Sequence, residues 1–212
     1  RVVKNMSSIT GEELVQSYDT IDATQNLDSY AMVSGIVKSC AVNLSKMCND
    51  LRLMSSGPRT GFCEINLPAK QNGSSIMPGK INPVIPEVVN QVAFNIIGND
   101  VTITMAAEAG QLELNAFEPI IFYNLFESIQ TLSNAVQTLV DNCIVGITAN
   151  EEHCRKMVEG SIGIITAICP YVGYETAANI AKEALRTNNS VRDLILQKKL
   201  LTEEQLKTIL DP

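Results

Sequence analysis

The stretch Phe122–Cys143 reads FYNLFESIQTLSNAVQTLVDNC. Phe122, Leu125, Ile129, Leu132, Val136, Leu139 and Cys143 alternate steps of three and four through three heptads. Residues so spaced share one side of a helix, and neither Gly nor Pro interrupts the run. A seam of this kind packs against neighbouring helices as in a coiled coil, so the expected architecture is a helical bundle. A bundle of three helices covers such a seam only in part, which points to self-association.

Two further long helices lie upstream. In Tyr30–Met54 the residues Val33, Ile36, Val37, Cys40, Leu44, Met47, Cys48, Leu51 and Met54 recur at steps of three and four, and Ser55-Ser56-Gly57-Pro58 ends the run. From Pro83 to Ala109 the chain is rich in Val and Ile, which favours strand, but its length favours helix. Gln91, Asn95, Asn99 and Thr102 form a polar stripe on it. They are read as buried amides and hydroxyls bonded between helices, with a pocket wall as the alternative. Beyond Thr148 the pattern changes to short amphipathic helices. Asn150 stands as an N-cap before Glu151-Glu152. Pro170 and Gly173 separate the next pair, Ser190 caps a helix containing Val191, Leu194 and Ile195, and Thr202 with Gln205 has the form of a capping box. The expected fold class is all-α: an elongated helical bundle over residues 1–147 and a small C-terminal helical domain over residues 148–212.

Charge and cysteine content narrow the partners. Only 18% of the 212 residues are charged, 45% are hydrophobic, and the net charge is −7. That balance argues against nucleic acid or an anionic membrane surface as partner. No apolar run approaches the length of a membrane span. The low charge suggests a surface largely covered by partner subunits or by further chain. Cysteines 40, 48, 63, 143, 154 and 169 form no Cys-x-x-Cys pair, and the chain has one histidine, His153. Reduced, buried thiols of a cytoplasmic protein are expected, with no zinc site and no cofactor. Glu108, Glu113 and Glu118 read as solvated acids. His153 reads as an ordinary first-turn residue.

Between the first two long helices runs an irregular connection of about 25 residues, a length usually reserved for function. Its end, Gly73-Ser74-Ser75-Ile76-Met77-Pro78-Gly79-Lys80-Ile81-Asn82, concentrates two hydroxyls, an ammonium and an amide in a segment too rich in Gly and Pro for regular structure. A phosphate-binding P-loop is excluded. Five residues rather than four separate Gly73 from Gly79, and Ile81 stands where a Ser or Thr should bind magnesium.

The segment resembles the loop pattern G-S-S-x-M-P-x-K-x-N of the aspartase/fumarase superfamily, with all seven fixed positions matched. The likeness extends to Met47–Asn66, Pro83–Asp100 and Thr104–Asn115, which are closer to the aspartate ammonia-lyase branch than to the fumarate hydratase branch, and to Arg192–Leu194 and Leu201–Leu206. It covers nearly the whole chain, which looks like the C-terminal half of a family member.

The resemblance implies deamination of L-aspartate to fumarate by β-elimination through an aci-carboxylate. Such a site needs a base near the proton and fixed donors around the carboxylate oxygens. By resemblance Ser74 is the general base, and Lys80 and Asn82 hold a substrate carboxylate. Ser75, with the backbone N–H groups up to Met77, adds donors. A serine hydroxyl loses its proton far above neutral pH, and each unit of lowering requires about 1.4 kcal/mol of preferential stabilisation. A closed, water-poor loop concentrating Lys80 and N–H dipoles on Ser74 could supply it. Glu87 matches a glutamate that orients a histidine from another segment, a role not transferred to His153. Asn82 is also placed to cap the helix beginning at Pro83. The family's other substrate-binding motifs precede Arg1, so the chain alone is expected to be inactive. The partners implied are a small dicarboxylate and further copies of the chain, as a homotetramer. The alternatives are a fumarate hydratase fragment and a non-catalytic helical oligomerisation module.

Overall fold

The computed structural model describes residues 1–73, 76–77 and 79–210. The chain divides into two compact units, one of Arg1–Ser56 with Leu67–Ile147 and the other of Gly57–Asn66 with Thr148–Pro212. Helix dominates both. The described strand consists of two two-residue segments.

The first unit is built on three long helices, α3 (Asp28–Met54), α4 (Val84–Glu108) and α5 (Glu118–Asn142), preceded by α1 (Val2–Thr10) and the single turn α2 (Asp22–Gln25). The Val- and Ile-rich segment is thus a helix, as its length requires. Glu87 and Glu118 lie in the first turns of α4 and α5, and Arg52 in the last turn of α3, each charge opposite to the helix pole it meets. The three run antiparallel in sequence. Leu27 at the start of α3 clusters with Ile103 and Ala106 near the end of α4 and with Ile121 and Leu125 near the start of α5. Midway, Ala41 packs with Ala93 and Ile96, with Val37, Val92 and Leu132 alongside.

The buried faces are turned away from the expected seams. On α5, Leu125, Leu139 and Cys143 are buried as expected, but Ile129 is 44% exposed and Val136 37% exposed, while Ile121, Asn124, Ser128 and Ala135 are buried instead. On α3 the inner face is Ser34, Ala41, Ser45, Cys48 and Leu51, and Val33, Ile36 and Met47 face outward. Small side chains let backbones approach closely, so the helices meet along Ala and Ser, and the bulkier residues flank the contact. Phe94, Val101 and Met105 of α4 and Tyr123 and Phe126 of α5 stay exposed as well.

Polar clamps join the helices where small residues leave room. Asp100 of α4 is buried; it accepts a hydrogen bond from Ser34 Oγ at 2.8 Å and faces Lys38 Nζ at 2.5 Å. Asn90 donates to the carbonyl and hydroxyl of Ser45 at 3.0 and 2.8 Å. Asn99 donates to Ser128 Oγ at 3.1 Å and to Glu127 Oε2 at 3.3 Å. Of the expected polar stripe only Asn99 is buried in this way. Gln91, Asn95 and Thr102 are exposed, because the buried face of α4 passes through Asn90 and Asp100.

In the second unit β1 (Ile65–Asn66) pairs antiparallel with β2 (Thr148–Ala149), placing Ile65 opposite Ala149 and Asn66 opposite Thr148. Helices α6 (Glu151–Gly160), α7 (Ile165–Val172), α8 (Tyr174–Thr187), α9 (Val191–Gln197) and α10 (Glu203–Leu210) follow. Their core is Ile168, Ile180, Ala184, Val191, Leu194, Ile195 and Leu206. Ser190 Oγ accepts from the Asp193 N–H at 3.0 Å, and Thr202 and Gln205 exchange reciprocal bonds at 2.9 and 3.2 Å, the capping box the spacing predicts.

Two expected roles differ. Asn150 precedes α6 but its side chain caps nothing: it donates to the Cys63 carbonyl at 2.8 Å and pairs with the Asn66 carboxamide. The strand pairing draws it sideways, away from the helix end. Pro170 lies inside α7 rather than between helices, and Gly173, at φ +82°, makes the break to α8. Only one hydrogen bond of that short helix is lost to the proline. No described helix is long and apolar enough to cross a membrane.

Candidate active site

Of the expected site residues, Lys80 and Asn82 lie just before α4 and Glu87 in its first turn, where the irregular connection feeds the helix. Ser74 and Ser75, the expected base and donor, lie outside the described residues, as does Pro78. The flanks of the loop are described and approach each other closely. A Cβ built on Gly73 would lie 2.8 Å from the Lys80 carbonyl oxygen, so only glycine fits there without a backbone shift. Gly79 adopts φ +83°, and the Lys80 N–H donates to the Met77 carbonyl at 3.2 Å, closing a turn. Lys80 itself is exposed.

Asn82 is half-buried at the foot of the loop. Its carbonyl accepts from the Val84 N–H at 2.9 Å, but its side chain caps nothing: Pro83 occupies the N-cap position of α4 without a side-chain bond. The expected capping role of Asn82 is therefore absent. Pro83 takes that position because the backbone turns into the helix one residue later. Asn82 lines a narrow crevice with Leu67, Pro68, Pro83, Val84, Ile85, Pro86, Asn142 and Cys143, which leaves no room for a water molecule.

Glu87 sits in the first turn of α4, and its Oε1 lies 3.8 Å from Nη2 of Arg52 on α3. That separation is an ion pair, too long for a hydrogen bond. Nη1 of the same guanidinium reaches Asn90 Oδ1 at 3.4 Å. Arg52 is the residue that sequence reasoning missed. Its only signal was a basic side chain in the last turn before Ser55-Ser56-Gly57-Pro58.

Neighbouring thiols are shielded. Burial pushes Cys48 from 9.0 up to about 11, nearby Cys143 adds to the rise, and Arg52 opposes it. Burial likewise raises Cys143. All six cysteines are free. Both thiols thus stay protonated near neutral pH and are poor nucleophiles or metal ligands. Among the described residues no group of His, Cys, Asp and Glu is placed to hold a metal ion. His153 lies in the second unit, where its Nε2 is 2.7 Å from the Phe62 carbonyl oxygen.

Comparison with known proteins adds the family. A family model described as Lyase matches residues 1–98, and one described as Fumarase C C-terminus matches residues 164–212. The aspartate ammonia-lyase of Helicobacter pylori is 56% identical over 211 residues, covering 100% of this chain and 45% of that protein. The aspartate ammonia-lyase of Bacillus subtilis is 55% identical over 212 residues, with the same coverage. Among solved structures, a Brucella melitensis protein titled fumarate lyase:delta crystallin, bound to cobalt, superposes with a TM-score of 0.93 at 50% identity, over 99% of this chain and 45% of that one. Class II fumarase from Schistosoma mansoni superposes with a TM-score of 0.85 at 30% identity, over 100% of this chain and 46% of that one. The chain thus spans a little under half the length of the curated relatives it matches. It belongs to the aspartase/fumarase family of lyases, as a homologue of the C-terminal portion of aspartate ammonia-lyase.

Proposed function

We propose that the full-length protein carrying this sequence deaminates L-aspartate to fumarate and ammonia. In the reading we favour, Ser74 Oγ takes the proton from the carbon next to a carboxylate. The electron pair left behind spreads into that carboxylate as an aci-carboxylate, which Lys80, Asn82, Ser75 and loop N–H groups stabilise. The pair then forms the double bond while the C–N bond breaks and the amine leaves as ammonia. Glu87 orients a histidine supplied by another segment. The step needs no cofactor.

One observation carries this reading: the seven-position loop pattern stands in a chain 56% identical along its length to an aspartate ammonia-lyase and only 30% identical to the class II fumarase. That contrast favours ammonia over water as the leaving group. Fumarate absorbance should rise in L-aspartate solutions of the full-length protein and stay flat in L-malate. The reverse pattern would make the protein a fumarate hydratase, and no signal with either would leave a helical assembly module. The outward apolar residues of α3, α4 and α5 support a homo-oligomer, which we take to be a tetramer by family resemblance. Six free thiols support a cytoplasmic location.

A further inference from the structure

We infer that Arg52 is a positioning residue that holds the Glu87 carboxylate from the side of α3, an inference that rests on the role proposed for Glu87. The arrangement starts at Ser45. Its carbonyl and hydroxyl take both donor contacts of the Asn90 carboxamide, at 3.0 and 2.8 Å. This fixes the amide orientation and leaves Asn90 Oδ1 as an acceptor aimed at α3. Arg52 Nη1 meets that oxygen at 3.4 Å and Asn49 Oδ1 at 3.5 Å. Two neutral acceptors thus steer one arm of the guanidinium, and its planar fork presents Nη2 to Glu87 Oε1 at 3.8 Å.

The guanidinium is set by the Ser45–Asn90 clamp rather than by Glu87. Asn90 and Ser45 are buried, whereas Arg52 and Glu87 are each about two-fifths exposed, their side chains at 42% and 41%. At 3.8 Å the ion pair restrains the carboxylate without engaging it in a close bidentate bond. A single-oxygen contact of that length leaves Glu87 able to accept from an imidazole N–H. A glutamate that must orient a histidine needs its rotamer fixed and an acceptor oxygen open, and Arg52 serves both requirements. A lysine is a point charge with no fork, so it can supply the charge but not the steering.

The test uses the full-length protein with Arg52→Gln, Arg52→Lys, Glu87→Gln and the double variant Arg52→Gln/Glu87→Gln. Arg52→Gln should lower kcat about tenfold with KM within about twofold, the mark of lost transition-state geometry rather than lost binding. The double variant should be no slower than Glu87→Gln alone, and Arg52→Lys should recover part of the loss. Effects of Arg52→Gln and Glu87→Gln that multiply, or an Arg52→Lys variant no better than Arg52→Gln, would overturn the inference while leaving the lyase reading intact. Should the parent produce no fumarate, the lyase reading fails, and the Tm values of the same four variants still report the pair. Non-additive Tm changes support the Arg52–Glu87 contact, and additive ones overturn it.

Discussion

Ser74, as the proposed base, and Cys48 meet opposite demands. If Ser74 is the base, as proposed, it must lose a proton, so in the full-length protein Ser74→Ala should lower the proposed deamination rate by about 10²–10⁴-fold, the usual contribution of a positioned base. Fumarate production within about tenfold of the parent would end that assignment. Cys48 must keep its proton, because burial disfavours the thiolate. The unfolded chain releases that proton at the ordinary value of 9.0, the folded chain at about 11. The unfolded state therefore sheds protons first, and the stability this group contributes is full below pH 9 and lost as pH rises toward 11. Urea midpoints should fall over that window, and Cys48→Ala should flatten the fall. The sequence made the family legible at this loop because seven fixed residues in ten are a local signal. Arg52 was not legible, because its role depends on an amide and a hydroxyl that α4 and α3 bring together only in the fold.

The long helices show how periodicity both informs and misleads. Steps of three and four in Tyr30–Met54 and Phe122–Cys143 located α3 and α5 to within a few residues. They misplaced the buried faces, since a stripe of bulky residues was taken for the packing seam. In the fold the seam runs through Ser34, Ala41, Ser45, Ala93 and Ala135, whose size permits close approach, and hydrophobicity alone does not mark such residues. The turn from α4 to α5 depends on a residue of the same overlooked kind. Buried Asn115 donates to the carbonyls of Ala106 and Ala107 at 3.0 and 3.1 Å and accepts from the Phe117 N–H at 2.8 Å. It thus satisfies two carbonyls of the last turn of α4, which have no intrahelical partner. Asn115→Ala should cost roughly 2–4 kcal/mol, since buried backbone groups would be left unpaired. Chemical unfolding would measure it, and a loss below about 0.5 kcal/mol would show that water replaces the amide.

At the scale of the whole molecule, the proposed function makes the loop at residues 73–82 one of several segments that would build the site. Positioning of bound reactants contributes about 7–11 kcal/mol to such reactions. The 212-residue chain by itself should therefore yield no measurable fumarate from L-aspartate. Steady production by the purified chain, abolished by Ser74→Ala, would overturn this. The loss should be repaired by mixing with the upstream portion of the protein if the segments associate. One feature of the second unit also governs how the chain is made. Its first piece, Gly57–Asn66, is synthesised before the whole of Leu67–Ile147, yet β1 finds its partner only in β2. On a ribosome adding about 5–20 residues per second, that piece waits several seconds while α4 and α5 emerge. The second unit therefore closes after the long helices have been made, and the segment upstream of residues 67–82 is among the last parts of the chain to be tied down.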